Sequence, residues 1–234
     1  MHKTMRMMGL VFTLVMLCAA APARAQNAKT AYPSMAPVEQ YMMERDAEIA
    51  LARTAAPPSI SADADVVVLG KRGYETAVHG KNGFTCIVQR SWTAESDDPS
   101  FWNPKLRAPI CFNAEGTRSY LPIVFRKTEL VLAGRPKDEI FATVTAAIDK
   151  KELPSPEPGA MCYMMSKDGY LNDEVKNWHP HVMFFVPIKD ADAWGAGLAG
   201  SPIIQDKVEE DRLVIFMIKV AKWSDGTADA AAGM

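Results

Sequence analysis

The apolar residues of the chain first recur at helical spacing in a segment that begins near Val38. A period of three to four residues places them on one side of a helix, as in an amphipathic helix that packs on a core. Pro37 precedes the segment, and Pro57-Pro58 ends it because proline cannot continue a helix. The pattern predicts a first helix of about 17 residues. Its apolar positions are Tyr41, Met42, Ile49 and Ala52.

Three short runs of strand-forming residues follow this helix, over residues 66–69, 74–79 and 84–89. Glycine-containing turns separate the runs, and the second turn includes Asn82-Gly83. Asn-Gly supplies the positive φ angles that a tight hairpin requires. The pattern therefore predicts a three-stranded antiparallel meander.

The middle of the chain combines one unusual loop with a second helical region. Residues 91–109 are rich in Trp, Phe and Pro, and a short predicted strand at 110–112 follows. Residues 121–133 have proline near their start and glycine after their end, which predicts a helix. The run Ile123-Val124-Phe125 within them is also compatible with a strand. A clearer helix begins at Pro136 and ends before Pro154.

The last third of the chain returns to apolar runs of strand length, which are typical of central strands covered on both faces. Together with the meander they predict one α+β domain over residues 37–223. We expect a largely antiparallel sheet with about three helices packed mainly on one face. Residues 26–36 are predicted to be a flexible leader and residues 224–234 a frayed tail. The C-terminal runs span residues 160–165, 181–188 and 213–220.

The N-terminus has the three parts of a secretory signal peptide. A basic start is followed by an apolar run over residues 7–21 and by Ala23-Arg24-Ala25. We expect cleavage after Ala25 and a periplasmic or secreted protein. No other stretch is long enough to span a membrane. A lipid anchor on Cys18 is the competing interpretation, but Val15-Met16-Leu17 lacks the small residues of a lipidation site.

Cleavage after residue 25 changes the charge balance of the chain. It removes three basic residues and no acidic one, which leaves 23 basic and 28 acidic residues and a net charge of −5. A mildly acidic surface repels phosphate backbones, so the charge argues against nucleic acid as a partner.

Three cysteines remain after cleavage, and an oxidising compartment allows one disulfide between them. We prefer Cys86 with Cys111, because each lies in an apolar strand-like run and the bond would close the aromatic loop between them. Cys162 then stays unpaired. Its simplest role is that of a small buried hydrophobe, and a nucleophilic thiol activated by histidine is the less favoured alternative.

Two histidines at the start of a predicted strand are the sharpest candidates for chemistry. His179 and His181 alternate along an extended chain, so their imidazoles share one side and could hold one divalent metal. His79 is the remaining histidine of the mature chain and the first candidate for a third ligand. The alternative is that all three are strand-end histidines hydrogen-bonded to loops. Other candidates for the third ligand are Asp168, Asp173, Glu174 and Cys162.

Tryptophans flank the ends of the C-terminal strands, where they predict either lids on the core or the wall of an apolar pocket. Gly195, Gly197 and Gly200 formally match the dinucleotide-binding fingerprint, which must open a helix in a βαβ unit. Pro202 and the predicted export of the protein argue against that interpretation, and we reject it. No nucleophile elbow, phosphate loop or zinc-protease helix motif occurs in the chain. The leading hypothesis is a protein that binds a small molecule or a partner protein, and the rival is a metal-dependent hydrolase built on His179 and His181. The expected binding residues are Trp178, His179, His181, Trp194 and Trp223.

Four short segments of the chain carry a resemblance to other proteins: 82–86 (NGFTC), 109–113 (PICFN), 157–161 (EPGAM) and 178–181 (WHPH). On these segments the chain resembles a group of exported bacterial proteins with no assigned activity. The resemblance spans residues 48–226 and implies a bacterial origin and a single folding unit, and it assigns no catalytic residue.

Overall fold

Eight strands form one sheet in the computed structural model, which describes residues 32–173, 175–196 and 198–230. The strands are β1 (Asp65–Gly70), β2 (Gly73–Val78), β3 (Thr85–Gln89), β4 (Ala108–Phe112), β5 (Met161–Met164), β6 (His181–Pro187), β7 (Ile204–Val208) and β8 (Leu213–Lys219). The α-helices are α1 (Arg45–Arg53), α2 (Pro58–Ser61), α3 (Ala114–Ser119), α4 (Leu121–Leu132) and α5 (Lys137–Asp149). The architecture is the predicted α+β class with a largely antiparallel sheet in a single domain.

The order of the first three strands differs from the predicted meander. The sheet runs β2-β1-β3-β4-β5-β6-β8-β7, and β3 lies parallel to β1 instead of antiparallel to β2. Burial explains the difference, because every residue of β3 is buried whereas β2 exposes its middle residues and takes the edge. The chain crosses beside Asp63 and Ala64 at Gly80, where a Cβ would lie 2.2 Å from the carbonyl oxygen of Asp63. Only glycine fits this crossing.

Alternation along the strands divides the core between the two faces of the sheet. On one face, here called the first face, Val67 and Leu69 pack with α4 and α5 in the largest hydrophobic cluster. On the second face, Val66 and Val68 pack with Ala52 of α1. The two longest helices thus share one face, and α1 covers part of the other.

A buried ion pair joins α1 to the sheet. Arg90 Nη2 lies 2.8 Å from Glu48 Oε2, and both side chains are 0–1% exposed. Glu48 Oε1 also accepts the backbone N–H of Leu69, while Arg90 Nε donates to the carbonyl oxygen of Tyr41. Because both Glu48 and Arg90 have further hydrogen-bond partners, the desolvation of this pair is compensated.

The cysteine arrangement agrees with the expected pairing. Cys86 and Cys111 are directly opposite each other on β3 and β4 and lie at disulfide-bonding distance. Cys162 is a buried free thiol, and burial raises its pKa well above the usual value.

The ends of the domain differ in detail from the sequence patterns. The predicted first helix is divided into a 3₁₀ turn at Val38–Gln40 and α1, because Tyr41 turns into the core between them. Part of the expected frayed tail is held against the domain: Ser224 N–H donates to the carbonyl of Met165, and Asp225 pairs with Lys167. The signal peptide at residues 1–25 lies outside the described residues. Within the described ranges, no helix combines the length and apolar character needed to cross a membrane.

Candidate functional site

The expected tryptophan and histidine residues do not form one site. The ring of Trp178 meets the rings of His179 and His181 edge-on, at centroid distances of 5.8 and 4.8 Å. Trp194 instead packs on Phe184, which follows His181 by an odd number of positions and so lies on the opposite face of β6. Trp178 and Trp194 therefore line separate surfaces. Trp223 closes a turn, in which its backbone N–H donates to the carbonyl oxygen of Thr227.

His79 does not join the other two histidines. It follows β2 at one edge of the sheet, with its side chain 88% exposed, whereas His181 begins β6. Five strand spacings separate β2 from β6, which is about 24 Å. The three-histidine metal site is therefore not assembled. Among the described residues, no group of three or more His, Cys, Asp or Glu side chains is placed to hold a metal.

A cavity of about 930 Å³ opens on the first face of the sheet over β6, β8 and β7. Its floor is apolar and consists of Met183, Val208, Ile215 and the ring of Tyr120. The loop at residues 93–100 forms the opposite wall. Met183 and Ile215 reach the cavity because α4 and α5 cover the sheet mainly beside its other strands.

The aromatic loop has a fixed position because its aromatic side chains are anchored in the core. Trp92 is fully buried, and its indole N–H donates to Thr128 Oγ1 of α4 at 2.9 Å. Phe101 is also buried and packs against Phe141 of α5. The polar residues between these two anchors are thereby held over the cavity.

Carboxylates dominate the polar lining of the cavity. Two of them have cationic partners: Asp211 pairs with buried Lys127 at 2.7 Å, and Asp173 pairs with Lys105 at 2.9 Å. The remaining four form no ion pair within the described part of the chain, and no lysine or arginine lines the cavity. These four carboxylates, which we call the acidic wall, are Glu95, Asp97, Asp98 and Asp206.

Glu95 and Asp206 interact directly across the acidic wall. Partial burial, followed by the hydrogen bond to Asp206 and the charge of that carboxylate, raises the pKa of Glu95 to about 7. Asp206 reaches this position because β7 places it opposite Ile215 of β8. Below about pH 7 Glu95 therefore keeps its proton and can donate it to Asp206 in this hydrogen bond.

Two neutral polar side chains also reach the cavity without a partner. Gln89, at the end of β3, is 7% exposed, and its amide makes no hydrogen bond to any described residue. Tyr120 is 6% exposed and stacks on Phe185 at 4.0 Å, and its hydroxyl likewise has no described partner. Burial raises the pKa of Tyr120 well above its usual value, so the hydroxyl stays protonated. Both side chains line the cavity, so the amide of Gln89 and the hydroxyl of Tyr120 are available to hydrogen-bond a molecule there.

The sequence patterns did not locate this cavity. Its acidic residues come from the loop at 95–98 and from β7, which are far apart along the chain. β7 was not predicted, because its sequence IQDKV has only a weak apolar alternation. The density of acids at Glu95, Asp97 and Asp98 was the one signal available in the sequence.

Comparisons of the chain with protein-family models, with curated proteins and with solved structures found no match. The resemblance to exported bacterial proteins therefore stays a prediction.

Proposed function

We propose that this protein binds a small organic cation, in particular a linear diamine or polyamine, in the cavity over β6, β8 and β7. The observation that carries the proposal is the acidic wall, whose four carboxylates lack cationic partners within the described residues and face an apolar floor. A negatively charged wall that faces an apolar floor is complementary to a ligand with ammonium ends and a methylene chain.

Each part of the proposed ligand has a complementary group in the cavity. An ammonium donates to the carboxylates of Glu95 and Asp206, which gives charge-assisted hydrogen bonds. The amide oxygen of Gln89 accepts a further N–H. The methylene chain packs on Met183 and Ile215, where burial of apolar surface adds to the affinity.

We also propose that binding takes place outside the cytoplasm. The pairing of Cys86 with Cys111 supports this, because disulfides persist in oxidising compartments. The predicted signal peptide supplies the route.

Calorimetric titration of pentane-1,5-diamine, with pentane-1,5-diol as its neutral counterpart of equal length, tests the proposal. We expect binding of the diamine and none of the diol. The double variant Glu95→Gln/Asp206→Asn should weaken diamine binding by at least about tenfold, as expected for charge-assisted hydrogen bonds worth about 1.5–3 kcal/mol.

Glu129→Gln is the matched control, because Glu129 is an exposed acid on α4 that pairs with Arg126 away from the cavity. It should bind the diamine as the wild type does. Equal affinity for the diamine and the diol, or equal loss of affinity in both variants, would contradict the proposal.

A further inference from the structure

A second and much smaller cavity, of about 20 Å³, lies where the chain enters β6. It lies apart from the acidic wall and shares no lining residue with the larger cavity. A space of this size holds one water molecule or one ion. The polar and aromatic side chains around it are those of Ser166, Asn177, Trp178, His179 and His181.

The hydrogen bonds of the two histidines fix which ring nitrogen is free. Nδ1 of His181 lies 2.6 Å from the carbonyl oxygen of His179, and a carbonyl can only accept, so Nδ1 carries the proton. Nδ1 of His179 lies 2.6 Å from Oδ2 of Asp229 and donates to that carboxylate. In the neutral rings, both Nε2 atoms keep a lone pair. A ligating histidine in a metal site typically has this arrangement, with its other N–H given to a carboxylate or a carbonyl.

Asn177 adds a third acceptor to the same cavity. Its amide Nδ2 donates to the carbonyl of Lys167, which fixes the orientation of the side chain. Oδ1 is then buried without a hydrogen-bond partner among the described residues. Asn177, His179 and His181 all line this cavity, so three side chains that each carry one acceptor atom without a described partner border the same small space.

The other two polar side chains that line the cavity, Ser166 and Trp178, do not donate to these acceptors. The hydroxyl of Ser166 is shared with Thr54, whose own hydroxyl donates to the carbonyl of Leu51, so the proton of Ser166 points to Thr54. The indole N–H of Trp178 makes no hydrogen bond to a described residue. One water molecule has two protons and would leave one of the three acceptors unsatisfied. A metal cation accepts all three lone pairs.

We propose that His179, His181 and Asn177 bind one zinc ion through two Nε2 atoms and Oδ1. Two imidazoles with one oxygen ligand suit a borderline metal such as zinc, and a fourth position stays open for water. His179 is 22% exposed and gives the ion a path from solvent. Asp229 belongs to the C-terminal segment, so zinc bound by His179 also holds that segment in place.

Zinc titration of protein purified without a histidine tag and dialysed against a chelator tests the site. We expect one equivalent of zinc by elemental analysis and a higher melting temperature on zinc addition, because the ion binds only the folded state. His179→Ala should abolish both effects. Asp229→Asn should weaken zinc binding by about 10–100-fold, as for other groups that orient a ligating histidine.

His79→Ala is the matched control, since His79 is exposed at the far edge of the sheet and should leave zinc binding unchanged. Far-ultraviolet circular dichroism verifies that each variant is folded. Less than about a tenth of an equivalent of zinc in the wild type, or equal binding by the wild type and His179→Ala, overturns the proposal. Diamine binding is measured on the same samples and should not depend on zinc, so the two proposals fail or hold separately.

Discussion

Glu95 and Asp206 link the electrostatics of the cavity to the pH of the solution. Partial burial and the neighbouring carboxylate of Asp206 raise the pKa of Glu95 to about 7, so Glu95 becomes negatively charged only near neutral pH. In the proposed complex, a bound ammonium stabilises the ionised form of Glu95 and lowers its pKa. The proposal therefore requires that cation binding and proton release are coupled at this residue.

The first prediction is that diamine affinity rises by about tenfold between pH 6 and pH 8, which corresponds to the loss of one proton with a pKa of about 7. Both amines of the probe stay protonated over this range, so only the protein titrates. Calorimetry in buffers of different ionisation enthalpy measures the released proton. The Glu95→Gln variant should bind with little pH dependence, and an unchanged slope in that variant would contradict the assignment.

The same shift acts on the stability of the ligand-free protein. Folded Glu95 keeps its proton up to about pH 7, whereas the unfolded chain loses it near the usual carboxyl value. Because the folded state binds more protons in this window, the contribution of Glu95 to stability falls as the pH rises through it.

At the scale of secondary-structure elements, α1 is attached to the sheet by the buried pair of Glu48 and Arg90. Glu48→Ala leaves the guanidinium of Arg90 buried without its carboxylate partner. We predict that this variant loses about 3–5 kcal/mol of unfolding free energy in urea denaturation. Glu75→Ala removes an exposed partner of Arg45 and should cost less than about 1 kcal/mol. Similar losses in the two variants would show that the buried pair has no special role.

The disulfide joins the neighbouring strands β3 and β4. Replacement of Cys86 and Cys111 by serine should lower the unfolding free energy by about 3 kcal/mol, because the bond closes a loop of 25 residues in the unfolded chain. Cys162→Ala is the control that removes the free thiol and retains the bond. In denatured protein that begins at Gln26, we expect one reactive thiol, and three would contradict the pairing.

The sequence predicted the strands and helices more successfully than their arrangement. The apolar runs at β3, β4, β5, β6 and β8 are strong enough to identify strands from local pattern alone. The position of β3 depends on its burial on both faces, which places it beside β1. The hairpin signal at Asn82-Gly83 instead predicted pairing with β2. β7 has too little apolar alternation to be recognised as a strand, so the position of Asp206 in the sheet could not be predicted.

At the scale of the whole molecule, the two halves of the sheet have different roles. The strands from β1 to β4 are buried by α1 on the second face and by the longer helices on the first. The strands β6, β8 and β7 leave part of their first face uncovered, and the anchored loop at 93–100 turns this gap into a cavity. The proposed site therefore lies over the C-terminal strands, beside the part of the sheet that the helices cover.

The candidate site depends on this arrangement and could not be predicted from local patterns. Trp178, His179 and His181 were recognised because they are consecutive or alternate along the chain, and they do lie together. Glu95 and Asp206 meet only because the sheet order brings the loop and β7 to the same face. A single sequence read by local pattern contains no signal for such a long-range contact.

A crystal structure of the protein with pentane-1,5-diamine is the most direct test of the central claim. We predict one ammonium within hydrogen-bonding distance of the carboxylates of Glu95 and Asp206, with the methylene chain on Met183 and Ile215. Diamine bound only elsewhere on the surface, with the cavity over β6, β8 and β7 left empty at saturating ligand, would contradict the account.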